Sequence, residues 1–500
     1  MPARLASFPK PWLRLLAAVV GVAAAATLAV AASYLSQMAE PYLRTAKVGS
    51  TVLAKTLCSG VFVSHRVPEA VRAEDLSGPD YKPLEHFKWN VDLAGKRAKA
   101  SYCLLGTRVT ISCFIETQTA IFRDGLGCTV VDTTEDALRS QSAGLPPPAP
   151  ASNPEALWPD GEGVDLEAIP AGVDRAALEA AMKAACAEPD EKRPRGTRAL
   201  VVVYDGRIVA ECYGAGFDAK MPLLGWSMAK TATNTLVGLR VQDGKLAIAK
   251  RALLDEPEWR AGGVKSGIAL DELLRMTSGL VFNEDYDAED SDVRQMLLSE
   301  SDKSGYAAAR RLKHTPGTYW DYSSGTTNII ARVLRQSFAD EQDYLRYPRE
   351  RLFVPIGMSS AVFEPDAAGI FVGSSYLYAS ARDWARLGLL YLRDGMWQGK
   401  RLLPEGWVKY SLTPAPHAPD ARYGAQVWLK LDSGATGDSP DLGEPPFPED
   451  SYYMLGHDGQ IVSIVPSRDL VIVRLGLTPG SAWDPARVLA PIVQAFPPRS

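Results

Sequence analysis

The sequence predicts an α+β fold in which one antiparallel sheet draws strands from opposite ends of a large region, with helices between them. Three observations carry this. Ala199–Tyr204 and Arg207–Tyr213 are apolar, β-branched runs joined by Asp205-Gly206, a strong hairpin signal. Ile461–Val465 and Leu470–Leu475 form a second such pair around Pro466-Ser467-Arg468-Asp469. Between the two pairs the apolar spacing turns helical, most clearly at Ala229–Gln242, Leu270–Met276, Thr326–Ser337 and Arg382–Leu392. Strands at both ends with helices between them fit segregated layers rather than strand–helix alternation. Arg175–Ala187 reads as a helix before the first pair, and Pro485–Ala495 as an amphipathic closing helix.

A chain of 500 residues is long enough for about three domains. Its 46% hydrophobic and 23% charged residues are ordinary for globular proteins, which excludes a mainly disordered chain. Glycine (41) and proline (36) suggest many turns and at least one linker. The net charge of −5 provides no basic excess for phosphates, so no nucleic-acid partner is expected. The five histidines are scattered, and no cysteine pair has C-x-x-C spacing. Neither a metal nor a cofactor is therefore expected.

From the N-terminus, residues 1–14 form a basic flank with Arg4, Lys10 and Arg14, expected to stay cytoplasmic. Residues 15–34 contain the uncharged apolar run Leu15–Ala32, read as a transmembrane anchor or a signal peptide. Ala29-Val30-Ala31 favours cleavage and the length of the run favours retention, so both stay open. The rest is expected outside the cytoplasm, anchored to the inner membrane or released into the periplasm. Residues 45–138 read as a small β-rich domain, with strands at Thr107–Ile115, Thr119–Arg123 and Cys128–Val131. Residues 139–168, with Pro146-Pro147-Pro148, read as a linker too proline-rich to pack. The large domain is 169–500. In an oxidising compartment the six cysteines should pair. Cys103, Cys113 and Cys128 are expected to staple the small sheet, and Cys186 to pair with Cys212.

The chemistry centres on Ser227-Met228-Ala229-Lys230. On a helix, residues i and i+3 share a face, so the lysine amine reaches the serine hydroxyl. A serine in the first turn also sits where N–H groups point outward and the helix dipole is positive, favouring an oxyanion and a depressed lysine pKa. A neutral lysine there can take the serine proton. The spacing alone is weak, since Ser7 and Lys10 share it in the basic flank. Two further segments add weight. Pro316–Gly325 is a turn-rich loop carrying Tyr322 and Ser324, and a tyrosine near a cation can have a lowered pKa and shuttle protons. Leu455–Gln460 carries His457, Gly459 and Gln460, where glycine permits close backbone approach. Taken singly these residues have plainer readings: Tyr319 and Tyr322 as packed aromatics, Trp226 and Trp320 as wall or core, His457 as a structural histidine. Glu284, Asp285, Asp287, Glu289 and Asp290 read as a solvated acidic loop that can rim a cleft.

At these residues the chain resembles the serine β-lactamase-related hydrolases, which include class C β-lactamases, D-alanyl-D-alanine carboxypeptidases, esterases and aminohexanoate-dimer hydrolases. That family carries S-x-x-K, then Y-x-N or Y-S-x, then K-T-G or H-x-G. Here the matches are Ser227/Lys230, Tyr322/Ser324 and His457/Gly459. Leu274–Leu280 and Pro355–Met358 look like further family landmarks, and the similarity runs from about Asp174 to the C-terminus. The resemblance implies a β-lactamase/transpeptidase-like domain and a serine hydrolase cleaving a small ester or amide. Ser227 would be acylated, Lys230 and Tyr322 would move its proton, and the N–H groups of Ser227 and Gln460 would form the oxyanion hole. Two departures matter. Ser324 stands where many members have asparagine, and His457 replaces a lysine that binds a substrate carboxylate. A histidine is mostly neutral at pH 7 and holds an anion weakly, and Asp458 beside it adds negative charge. Neutral esters or amides are therefore expected in preference to penicillins. The alternatives are a carboxypeptidase or β-lactamase proper, a non-catalytic periplasmic binding or sensor module on the same fold, or an accessory enzyme to a partner-binding first domain. An α/β-hydrolase is a further one, since Gly225–Ala229 nearly matches G-x-S-x-G. The poor strand before Ser227 and the lack of βαβ alternation weigh against the last.

Overall fold

The computed structural model describes residues 45–76, 79–103, 114–132, 134–142, 145, 155–188, 194–288, 290–431, 447–478 and 484–499, with isolated positions between 18 and 33. The 15–34 segment thus lies mostly outside the described residues. Among the residues described, no helix is long and apolar enough to cross a membrane.

The N-terminal unit is not purely β. Residues 45–62 form a helix (α1) where strand-like sequence was expected. Its Val and Thr residues favour strands locally, but Leu53, Leu57, Cys58 and Val61 make one apolar stripe, and burying that stripe decides the conformation. The stripe packs with residues of a four-stranded antiparallel sheet, β1 (Phe87–Asp92), β2 (Arg97–Cys103), β3 (Phe114–Arg123) and β4 (Gly127–Val130), in that order. Asp124-Gly125 turns β3 into β4, with Gly125 at φ 79°. Most of the expected strand Thr107–Ile115 lies outside the described residues. Cys128 on β4 is bonded to Cys58 on α1, not to a neighbour in the sheet, with Cα atoms 6.0 Å apart. Cys113 lies outside the described residues.

The expected linker is also partly structured. Its proline triplet is outside the described residues, but Trp158 is only 3% exposed and belongs to the core of the large domain. Arg386 holds this stretch from within, donating Nε to the Pro159 carbonyl (3.1 Å) and Nη2 to that of Gly161 (2.6 Å). Pro159 there sits in a packed turn held by Arg386.

After helix α2 (Arg175–Cys186) come β5 (Thr197–Tyr204) and β6 (Arg207–Tyr213). The C-terminal strands are β7 (Tyr452–Gly456), β8 (Gln460–Val465) and β9 (Leu470–Gly476). They form one antiparallel sheet in the order β7-β8-β9-β5-β6, with Val203 opposite Val471 and Val202 opposite Ile472. Opposite ends of the domain therefore meet between β5 and β9. The sheet is covered on both faces, which explains its nearly unbroken apolar runs. Val201, Val203, Val471 and Val473 point into the main core, beside helices α3 (Ala229–Gln242), α4 (Ser324–Gln336) and α5 (Ala381–Leu392). Leu200, Val202, Leu470 and Ile472 face α2 and the closing helix α6 (Pro485–Gln494). Cys186 and Cys212, bonded as expected, tie α2 to β6.

Candidate active site

A short strand, Leu223–Leu224, pairs with Leu377–Ala379, and Gly225 N–H continues the pairing to the Leu377 carbonyl at 2.9 Å. A Cβ on Gly225 would lie 2.1 Å from the Trp384 ring, so only glycine fits. The next residue, Trp226, takes the left-handed conformation (φ 48°), uncommon outside glycine. That reversal feeds a single 3₁₀ turn, Trp226–Met228, which runs on into α3. Ser227 is thereby half-buried on the first turn, and Lys230 is buried one turn later.

Lys230 Nζ donates to Ser227 Oγ (2.9 Å), to Ser324 Oγ (3.0 Å) and to the Ser374 carbonyl (3.2 Å). Burial pushes its pKa down to about 8, opposed by the Glu284 carboxylate. Lys230 is thus partly neutral near physiological pH while in hydrogen-bond contact with the Ser227 hydroxyl.

Tyr322 lies in the loop before α4, capped by Ser323 Oγ accepting from Thr326 N–H (3.0 Å). Its ring centroid is 4.8 Å from Lys230 Nζ, and its hydroxyl lies near the Ser227 side chain. The lowered pKa expected for it does not hold: burial pushes the hydroxyl upward, and Glu284 adds to the rise. Packing against Tyr423 and Trp428 makes the site too dry for a phenolate.

Ser324 has a different place from the one its motif position suggested. It is fully buried, accepts from Lys230 and donates Oγ–H to Glu284 Oε1 (2.5 Å), while its N–H donates to Oε2 (2.7 Å). It links Lys230 to Glu284 and has no surface for a substrate. Glu284 is the residue the sequence reading missed, assigned there to a solvated loop. Burial raises its pKa, opposed by the Lys230 charge. A signal was present in the period-two alternation of Leu280, Phe282, Glu284 and Tyr286, which turns all four inward while Asn283, Asp285 and Asp287 are exposed. The solvated reading holds for Asp285, Asp287 and Asp290; Glu289 lies outside the described residues.

His457, Asp458 and Gly459 form the turn between β7 and β8, with Asp458 at φ 59° and Gly459 at φ 79°. A Cβ on Gly456 would lie 2.2 Å from the Gly225 carbonyl, so this hairpin is pressed onto the turn that carries Ser227. The two N–H groups assigned to an oxyanion hole, those of Ser227 and Gln460, belong to these abutting segments. The His457 ring stacks on Tyr286 (4.5 Å) and meets Trp226 edge-on (5.4 Å), with Nε2 3.4 Å from Asp458 Oδ1. Beneath the turn, Gln460 Nε2 donates to the His457 carbonyl (3.1 Å) and buried Arg474 donates to that of Gly459 (2.9 Å).

The structure therefore brings Ser227, Lys230 and Ser324 into one hydrogen-bonded cluster beside the Tyr322 ring, with His457, Gly459 and Gln460 against its edge. Tyr319 is exposed and stacked on His314, and Trp320 packs on Tyr423. Ser7 and Lys10 lie outside the described residues. Among those described, no group of three His, Cys, Asp or Glu is placed to hold a metal.

Comparison with known proteins bears on the family and the fold. The family model described as Beta-lactamase matches residues 176–491, more than half of the chain. The 6-aminohexanoate-dimer hydrolase of Paenarthrobacter ureafaciens is 25% identical over 312 residues, 57% of this chain and 73% of that one. A solved structure from Bacillus anthracis, assigned as a 6-aminohexanoate-dimer hydrolase, superposes with a TM-score of 0.50 at 23% identity. It covers 60% of this chain and 79% of its own, a likeness of fold.

Proposed function

Because the chain belongs to the Beta-lactamase family and is a hydrolase of that family, we propose that it cleaves esters or amides through an acyl-enzyme on Ser227. One observation carries the proposal: a buried Lys230, its pKa pushed down to about 8, donating to Ser227 Oγ at 2.9 Å. In its neutral form Lys230 accepts the Ser227 proton as Oγ attacks the substrate carbonyl. The N–H groups of Ser227 and Gln460 receive the developing oxyanion. Tyr322, kept protonated by burial, passes its proton to the leaving group and regains one from the Lys230 ammonium beside its ring. Water then enters, gives a proton back along the same path, and releases the acyl group with Ser227 restored.

The third motif argues for uncharged substrates. His457 stacks on Tyr286 and meets Trp226 edge-on, its Nε2 faces Asp458, and Asp287, next in sequence to Tyr286, is exposed. A substrate carboxylate meets acids here and no permanent cation from the motif. Small esters and neutral amides are therefore preferred to penicillins, with linear aminohexanoate-type amides as one subset. The two disulfides and the apolar run at 15–32 support export to an oxidising compartment.

Fluorophosphonate labelling followed by intact-mass analysis tests the assignment. One adduct is expected on Ser227, with labelling and ester hydrolysis both lost in Ser227→Ala. A label on another residue, or full turnover by Ser227→Ala, overturns it.

A further inference from the structure

A cavity of about 380 Å³ lies between the N-terminal unit and the hydrolase domain. This is within the ~300–1,000 Å³ typical of small-molecule sites. It meets the catalytic turn at Trp226, the residue before the nucleophile, and at His457 and Gln460 of the third motif. The N-terminal unit contributes a wall from α1, through Val48 and Val52; the hydrolase domain contributes another through Leu223, Leu297 and Leu298.

Both walls are held in place. Glu364 of the hydrolase domain is fully buried, pairs with Lys55 of α1, and accepts from Ser59 Oγ (2.9 Å) and Cys128 N–H (2.6 Å). Ser64 Oγ donates to the Pro222 carbonyl (2.6 Å), at the start of the segment that leads to Ser227. The Cys58–Cys128 bond fixes α1 to β4, so the wall cannot drift from its own sheet. Four of the charged side chains that reach the cavity are engaged with protein groups, while Lys47, Asp132 and Asp287 also line it. Lys55 pairs with Glu364, Arg66 and Arg198 pair with Asp75, and the Lys303 ammonium donates to the carbonyls of Met296 and Glu300. The larger share of the cavity's lining is apolar.

We infer that this cavity is a substrate subsite, in which the N-terminal unit binds an elongated, uncharged, largely apolar arm of the ester or amide whose carbonyl is attacked by Ser227. The inference rests on the acyl-serine reading. It makes the N-terminal unit part of the enzyme's specificity and not a separate module.

The test is kcat/KM for two ester series, p-nitrophenyl alkanoates from acetate to decanoate and alkyl acetates of matching length. Wild type should favour the longer arm in at least one series. Val52→Trp and Leu298→Trp, which fill the cavity from the N-terminal unit and from the hydrolase domain, should each lower kcat/KM for the favoured long ester by at least about tenfold. Both should leave p-nitrophenyl acetate within about twofold. If labelled, acetate-active wild type shows no length preference in either series, the subsite is refuted and the acyl-serine reading survives. The same follows if both variants label normally but lose short and long esters equally. If wild type is not labelled at Ser227, both fall. Should a variant fail to fold, the wild-type series decides alone.

Discussion

Replacing Glu284 with glutamine should move the catalytic pH profile toward acid. The amide keeps the size of the side chain and can still accept the Ser324 N–H, so the substitution removes charge with little change of shape. Lys230 Nζ and the Glu284 carboxylate are joined through Ser324 Oγ by contacts of 3.0 and 2.5 Å. Their separation is therefore at most about 5.5 Å, and at an effective dielectric near 20 the attraction is about 3 kcal/mol. At ~1.4 kcal/mol per pH unit this corresponds to about two units. The sign follows from the charges. The carboxylate stabilises the ammonium, so losing it makes neutral Lys230 available at lower pH. Wild-type kcat/KM for a neutral ester should rise along a limb centred near pH 8, where Lys230 titrates. In Glu284→Gln that limb should shift downward by about two units. Initial rates from pH 5 to 10, with fluorophosphonate labelling to count active sites, measure it. A limb that stays in place or moves upward refutes the view that Glu284 acts on Lys230 through its charge.

Three further outcomes follow from the geometry. His457→Lys should raise kcat/KM for a carboxylate-bearing ester relative to its neutral analogue, by about tenfold, since it supplies a permanent cation; paired substrates measure this, and an unchanged ratio argues that the turn does not face the substrate. Peptide mapping after non-reducing alkylation should recover Cys58–Cys128 and Cys186–Cys212 as linked pairs. Cys58→Ser with Cys128→Ser should cost up to about 4 kcal/mol in denaturant unfolding, as the bond closes a loop of 70 residues. Trp158→Ala should destabilise the protein by about 3–5 kcal/mol by opening a cavity against Arg386 and the core, and a change under 1 kcal/mol in urea unfolding would show that the stretch merely rests on the surface.

Most of the large domain was legible because local and global preferences coincide there. Asp205-Gly206 fixes a hairpin whichever partner β5 later finds, and the predicted helix Ala229–Gln242 has the same bounds in the structure. That Ser227, Lys230 and Tyr322 lie together was legible because the first two share a helix face and Tyr322 falls in a recognisable loop. What escaped reading depends on distant packing. The helix at 45–62 is rich in residues that favour strands, and only the sheet beneath it makes the helical stripe worth burying. Trp158 looked like linker because its partner, Arg386, lies far along the chain. The Tyr322 pKa was misjudged because a nearby cation is visible in a motif and desolvation by Tyr423 and Trp428 is not. Glu284 was hidden by its acidic neighbours, which are solvated as expected.

The pairing of β5 with β9 also governs when the active site can exist. A chain made from its N-terminus completes Ser227, Lys230 and Tyr322 long before Leu470–Gly476 is available to lie beside Thr197–Tyr204. Contacts of such long sequence separation are slow to form, since a large loop must close before they bring any gain. The hairpin bearing His457 and Gln460 is attached to that late strand, and it presses on Gly225 from outside. Ser227, Lys230 and Tyr322 therefore wait for the last part of the polypeptide. A chain halted before residue 450 holds these three residues but lacks the hairpin that completes the site around them.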